Sequence, residues 1–360
     1  MTLHEITDFN VSKDIENFEL DPEEIQGKLH FPGQSAEDLA RKISKSIESG
    51  KDVIFTGPPG TGKTKLAEIT AEEYQKQTRG GEKTEPRIVT ATADWSTFDT
   101  LGGYMPKSGN GELTFNPGLI LKCFKDEENG EQLNQTLVID EINRSNIDEA
   151  FGELFTALTG QKIELPYQNN GSEIKIQPGK ESDKRIGPSK YIIPESWRMF
   201  ATMNTYDKTS LYDMSYAFMR RFAFIQIKAP DVPEQGRAKF LQEYIDVWTE
   251  PDEELTLTDE EKEKICKAWN TIQEPELEDT SMEGRDIGPA LIEDLTNYIS
   301  RNKEDDGDNF ELYLAEGIAS FLLPQLEGIR SGERIVEELK EMFSDQEVRQ
   351  ILEDSKEEII

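Results

Sequence analysis

Apolar residues recur along this chain at two periods, and their alternation sketches its architecture. Leu39, Ile43 and Ile47 stand at helical spacing behind Ser35, which can cap a helix with Asp38 three positions on. Asp52-Val53-Ile54-Phe55-Thr56 is a short apolar run and predicts a strand. Leu66, Ala67, Ile69, Thr70 and Tyr74 then give a helix. Arg87 to Ala91 and Gln135 to Ile139 read as strands, and residues 147–159 as a helix. Residues 94–118 are rich in Gly, Pro and aromatics and predict a loop or hairpin interrupting a helix, which restarts at Pro117-Gly118-Leu119. Residues 161–193 alternate polar and apolar around Asn169-Asn170-Gly171, the pattern of a β-hairpin. Arg198 to Thr202 and Phe222 to Ile227 supply two more strands.

Strands alternating with helices predict a parallel α/β sheet. Pro230, Pro233 and Gly236 mark a boundary, beyond which the pattern is helical and acidic. The expected organisation is an N-terminal arm over residues 1–30, an α/β core over 31–230 and a helical domain over 231–360.

Composition narrows the function classes. The 360 residues carry 73 acidic and 40 basic side chains, a formal charge of −33. A broad non-specific hold on nucleic acid is not expected, because it needs clustered Lys and Arg; a local basic patch stays open. Only 35% of residues are hydrophobic. A folded chain this charged needs screening, and at about 1 M salt the Debye length is roughly 3 Å, so a salt-rich cytoplasm is the expected setting. Cys123 and Cys266 stand far apart, outside any CxxC pair, and give no zinc site or disulfide framework. The two histidines, His4 and His30, both precede the core, which disfavours a His-based triad. No run of 18 apolar residues is present, and the N-terminus lacks signal-peptide regions, so a soluble cytoplasmic protein without membrane contact is expected.

The chemistry concentrates at the ends of the predicted strands. Gly57-Pro58-Pro59-Gly60-Thr61-Gly62-Lys63-Thr64 fits G-x-x-x-x-G-K-[ST] in full, between a strand and a helix. Its glycines let backbone N–H groups converge on phosphates, and the following helix N-terminus adds a positive dipole. Lys63 is placed to reach β and γ oxygens, and Thr64 to give a hydroxyl to Mg²⁺. The strand Leu137-Val138-Ile139 delivers Asp140, a carboxylate for Mg²⁺ through water, and Glu141, which can orient or deprotonate a water. Asn204, past the strand that begins at Arg198, offers an amide to the γ-phosphate or the water. Arg220 and Arg221 end a helix, and an arginine supplied in trans accelerates phosphoryl transfer by about 10³–10⁵. Arg221 is the first choice for that role, ahead of Arg220.

With these residues in hand, the sequence resembles AAA+ nucleoside triphosphatases over roughly residues 30–330, and within them the McrB branch, the motor subunits of McrBC-type modification-dependent restriction systems. Asp94 to Gly103, Asp140-Glu141-Ile142-Asn143-Arg144-Ser145-Asn146 with Phe151 to Leu154, Met203-Asn204-Thr205-Tyr206-Asp207-Lys208-Thr209-Ser210, and Ala217 to Phe222 carry the likeness. The resemblance implies an αβα core with a central parallel sheet, inserted β-hairpins and a C-terminal helical lid. It implies ATP or GTP with Mg²⁺, a hexameric ring, a McrC-like nuclease partner, and DNA reached through that complex. It places Arg285 where a lid often offers a second sensor to the γ-phosphate. Lys208 stands where the branch usually has Arg, and a lysine cannot make the same planar bidentate contact. The branch's best-known members carry an N-terminal domain that reads modified DNA; no room for one is expected here, so target reading would fall to a partner. Two other readings stay open: a MoxR-like chaperone ATPase acting on protein clients, and a non-catalytic nucleotide-binding scaffold.

Overall fold

The computed structural model describes residues 18–78, 85–107, 112–169, 171–179, 186–205, 214–249, 255, 257–275, 284–306 and 309–359. Most of the stretch that begins at Met203, Tyr206 to Ser210 with Lys208 among them, lies outside the described residues. The chain forms two compact units, each discontinuous in sequence. The first takes the chain up to Ile25, then 36–56 and 63–226; the second takes 26–35, 57–62 and 227–360.

The first unit is built on a five-stranded sheet. In chain order its elements are α1 (Pro22–Gln26), α2 (Ala36–Glu48), β1 (Asp52–Gly57), α3 (Lys63–Thr78), β2 (Arg87–Thr90), α4 (Thr97–Thr100), β3 (Gly102–Pro106), β4 (Leu113–Pro117), β5 (Leu137–Asp140), α5 (Ile147–Phe151), α6 (Leu154–Leu158), β6 (Ile163–Asn169), β7 (Ser172–Gly179), β8 (Lys190–Pro194), β9 (Met199–Asn204), α7 (Tyr216–Met219) and β10 (Phe222–Gln226). The strand order is β10-β1-β9-β5-β2, with β10–β1, β9–β5 and β5–β2 pairing in parallel. The central strands are apolar on both faces, as a sheet covered on both sides requires. Val53, Ile54, Phe55, Leu137, Val138 and Ile139 are fully buried, each contributing about 1.5–3 kcal/mol of hydrophobic stabilisation. Helix α3 lies across β9: the Tyr74 hydroxyl donates to the Ser196 carbonyl, and its ring meets Phe200 edge-on.

Several local expectations change. The described end of the N-terminal arm is packed, with Phe18, Leu20 and Ile25 buried and Phe18 edge-on to Tyr74. The helix expected over 147–159 breaks into α5 and α6 at Gly152, whose φ is +45° and where a Cβ would lie 2.7 Å from the Thr97 methyl. The helix expected to restart at Pro117 is only a 3₁₀ turn at Leu121–Cys123, because Gly118 is pressed against the Thr100 carbonyl. The segment 94–118 does contain a hairpin, β3–β4. The β6–β7 hairpin gains a third strand, since β8 pairs in parallel with β7.

The second unit is helical after residue 230: α8 (Arg237–Trp248), α9 (Asp259–Gln273), α10 (Pro289–Asp306), α11 (Phe310–Gly317), α12 (Gly332–Glu341) and α13 (Gln346–Ile359). Leu241, Tyr244, Ile265, Trp269, Ile292, Leu295 and Leu314 form part of its core. A reciprocal cap starts α9. The Thr258 hydroxyl accepts from the Glu261 N–H, while the Glu261 carboxylate accepts from the Thr258 N–H. No described helix is long and apolar enough to cross a membrane.

Candidate functional site

Within the first unit, the candidate site gathers where α3 starts and β5 and β9 end. Lys63 and Thr64 are the first two residues of α3, so both sit where unsatisfied N–H groups and the helix dipole favour an anion. The Lys63 side chain is buried, and that burial brings its ammonium down to about 8 against the opposing pull of Asp140 and Glu141. A polyphosphate placed there would favour the charged form.

Strand β5 carries Asp140 to the same place. The Thr64 hydroxyl donates to Asp140 Oδ1 at 2.6 Å, and the Thr202 hydroxyl donates to the same oxygen at 2.7 Å. One hydroxyl and one carboxylate side by side are the hard oxygen donors that Mg²⁺ takes while keeping several waters, so these residues fit the ion.

Glu141 is the one described non-glycine residue with positive φ (φ 51°, ψ 48°). That backbone costs roughly 1–3 kcal/mol and persists only where the surroundings hold it. Three contacts do so. Its N–H donates to Thr202 Oγ1 at 2.9 Å, its Oε1 accepts from Asn204 Nδ2 at 2.9 Å, and its Oε2 pairs with Arg144 Nη2 at 2.7 Å. The left-handed turn ends the strand and turns the carboxylate toward Asn204. Asn204 and Thr202 share one face of β9 by the two-residue period of a strand, so both reach the tip of β5.

The paired arginines separate. Arg221, the first choice from sequence, is directed inward: its guanidinium donates to the Leu158 carbonyl and pairs with Asp52 Oδ2 at 3.4 Å. Arg220 is exposed. Asp52 is itself buried and accepts the Met199 N–H at 2.9 Å; burial pushes its carboxyl up, opposed by Arg221 and Arg198.

The glycine-rich loop, residues 57–62, belongs to the second unit. Gly60 has φ +72°, a conformation open to glycine, and its carbonyl accepts the Ala290 N–H at 3.1 Å. A Cβ on Gly288 would lie 2.3 Å from the Gly60 carbonyl carbon and 2.4 Å from the Pro59 oxygen. The start of α10 is therefore seated against the loop, backbone to backbone. Arg285 lies three residues before that seat, half-buried, with its N–H on the Ile272 carbonyl.

Lys63, Thr64, Asp140, Glu141 and Asn204, all expected from the sequence, lie together. Thr202 and Arg144 join them unexpected, and Gly288 stands unexpected beside Gly60. The first two had signals: Thr202 is two residues before Asn204 on a strand, and Arg144 is one helical turn after Glu141. Gly288 had none, since only its closeness to Gly60 sets it apart from an ordinary turn glycine.

Residues 52–222 match the family model described as AAA domain (dynein-related subfamily). The chain is similar to the type IV methyl-directed restriction enzyme EcoKMcrB subunit of Escherichia coli (strain K12), at 28% identity over 214 residues, covering 57% of this chain and 40% of that protein. It is also similar to the uncharacterized protein YojN of Bacillus subtilis (strain 168), at 29% over 122 residues, covering 33% and 36%. An uncharacterized protein of Staphylococcus aureus (strain USA300) matches at 30% over 141 residues, covering 37% and 45%. The chain spans less than half the length of each of these relatives.

Proposed function

We propose, from the match of residues 52–222 to the AAA domain (dynein-related subfamily) and the similarity to a McrB subunit, that this chain is a Mg²⁺-dependent nucleoside triphosphatase, a ring-forming motor that drives a McrC-like nuclease in restriction of DNA. The observation that carries this reading is the strand-tip network. Thr64 meets Asp140 at 2.6 Å and Asn204 meets Glu141 at 2.9 Å, next to Lys63 at a helix N-terminus.

In this reading the amides of residues 57–62 and the Lys63 ammonium bind the β- and γ-phosphates of ATP or GTP. Thr64 and Asp140 would hold Mg²⁺, which would supply positive charge to offset that developing on the phosphates. Glu141 takes the proton of the attacking water, and Asn204 orients the carboxylate and that water. Arg220, the outward member of its pair, is supplied to the site of a neighbouring subunit, and Arg285 serves as a second sensor of the γ-phosphate.

The test is hydrolysis of ATP and of GTP by the full chain with Mg²⁺, at low and high salt, with and without a co-encoded nuclease. Glu141→Gln is expected to lose about 10²–10⁴-fold in turnover while still binding nucleotide. Parent-like turnover in that variant would overturn the assignment of the base. Stimulation by the nuclease supports the restriction reading, and its absence together with a protein client that stimulates turnover would replace it with a chaperone.

A further inference from the structure

The carboxylate of Glu141 is held by two side chains, and only Asn204 has a part in the proposed function. The other is Arg144, whose guanidinium meets Glu141 Oε2 at 2.7 Å. The short 3₁₀ turn Ile142–Arg144 follows directly from the left-handed residue, so the fold that strains Glu141 also delivers Arg144 to it. The turn is secured on both sides: the Arg144 N–H donates to the Glu141 carbonyl at 2.9 Å, and the Ser145 N–H and hydroxyl donate to the Ile142 carbonyl.

The two carboxylate oxygens thus have different partners on different elements. Oε1 takes the amide of Asn204 from the tip of β9, and Oε2 takes the guanidinium of Arg144 from its own turn. One partner alone would leave the carboxylate free to rotate about its last bond. Two donors on opposite oxygens fix its plane. Each oxygen keeps a second lone pair, so a held carboxylate can still accept a proton from water.

We infer that Arg144 is a positioning residue for hydrolysis, orienting the carboxylate of Glu141 from the side opposite Asn204. The inference rests on Glu141 being the water-activating group. An exposed i,i+3 ion pair with no such task is worth little, about 0–1 kcal/mol. The distinction is therefore kinetic: orientation of a base changes the chemical step, because a misplacement near 1 Å can cost about 10²-fold, whereas a surface ion pair changes neither rate nor binding.

The experiment compares Arg144→Ala, Arg144→Lys and Glu141→Gln in the full chain, measuring kcat, KM, affinity for a fluorescent nucleotide analogue and thermal midpoint. Arg144→Ala is expected to lower kcat by roughly ten- to a hundredfold, with KM, analogue affinity and thermal midpoint close to the parent. Arg144→Lys is expected to recover part of the rate, since an ammonium can still reach one oxygen. An unchanged kcat in Arg144→Ala, a rise in kcat, or a loss confined to KM or to the thermal midpoint would each overturn the inference. Glu141→Gln separates the two levels. If it is inactive while Arg144→Ala matches the parent, only the positioning role falls; if it turns over like the parent, the reading of Glu141 falls first.

Discussion

The two ends of the same central strands carry charge in opposite ways. At the ends of β5 and β9 a carboxylate pair, two threonines and an asparagine form a half-exposed network, in which Asp140 receives two hydroxyls and Glu141 sits on strained backbone. At the starts of β1, β9 and β10 an equally polar set is closed. Asp52 is 3% exposed and meets Arg221, Arg198 is buried on the carbonyls of Glu195 and Trp197, and the Met199 N–H completes the cluster. Both ends satisfy the rule that buried charge needs partners. Only the first keeps donors and acceptors turned to where a ligand can come. Residue type alone does not tell a functional arginine from a structural one; the partner does.

The widest separation is expected from Arg220 and Arg221. Under the proposed trans role, Arg220→Ala is expected to lower turnover by about 10³-fold or more, with the thermal midpoint unchanged. Arg221→Ala is expected to do the reverse, lowering the midpoint while folded protein keeps its turnover. Steady-state hydrolysis with thermal melts of both variants checks this. The comparison breaks if Arg221→Ala loses turnover at parental stability.

Next comes the closed end itself. Asp52→Ala strips Arg221 of its carboxylate and leaves the Met199 N–H without its acceptor. Removing one partner of a buried pair costs about 3–5 kcal/mol. The lower part of that range is expected, because Arg221 keeps the Leu158 carbonyl. Denaturant unfolding measures the loss, and nucleotide affinity of the folded fraction should stay as in the parent. A stable Asp52→Ala with weakened nucleotide binding would make this end part of the site.

Much of this was legible in the chain. The glycine-rich loop before Lys63, β5 with its acidic end, and Asn204 follow from contiguous residues, because a strand, a tight turn and a helix start are local events. The five parallel strands follow from apolar runs that suit two-sided burial. What was not legible depends on contacts between residues remote in sequence. Arg221 looks like an exposed helix end until Asp52, 169 positions away, is seen beside it. The break at Gly152 depends on the Thr97 methyl, and the role of Gly288 on Gly60. Residues 57–62 also group with the helical unit and not with the sheet, which a linear division of the chain at residue 230 does not anticipate.

The smallest expected effect lies at the open end and tests its wiring. The Thr202 hydroxyl donates to Asp140 and accepts the N–H of Glu141, so one hydroxyl ties the Asp140 carboxylate to the backbone of Glu141. Thr202→Val keeps the shape and removes both bonds. The Glu141 N–H then loses its acceptor, at about 1–3 kcal/mol, and the left-handed backbone loses part of what holds it. About a tenfold fall in kcat is expected, since 1.4 kcal/mol on the barrier is a factor of ten. Nucleotide affinity should change less, because Lys63 and the loop amides are untouched, and Thr202→Ser should restore the rate. If Thr202→Val turns over like the parent while Glu141→Gln does not, Asn204 and Arg144 suffice to orient the carboxylate, and the strain at Glu141 is sustained by the turn that follows it.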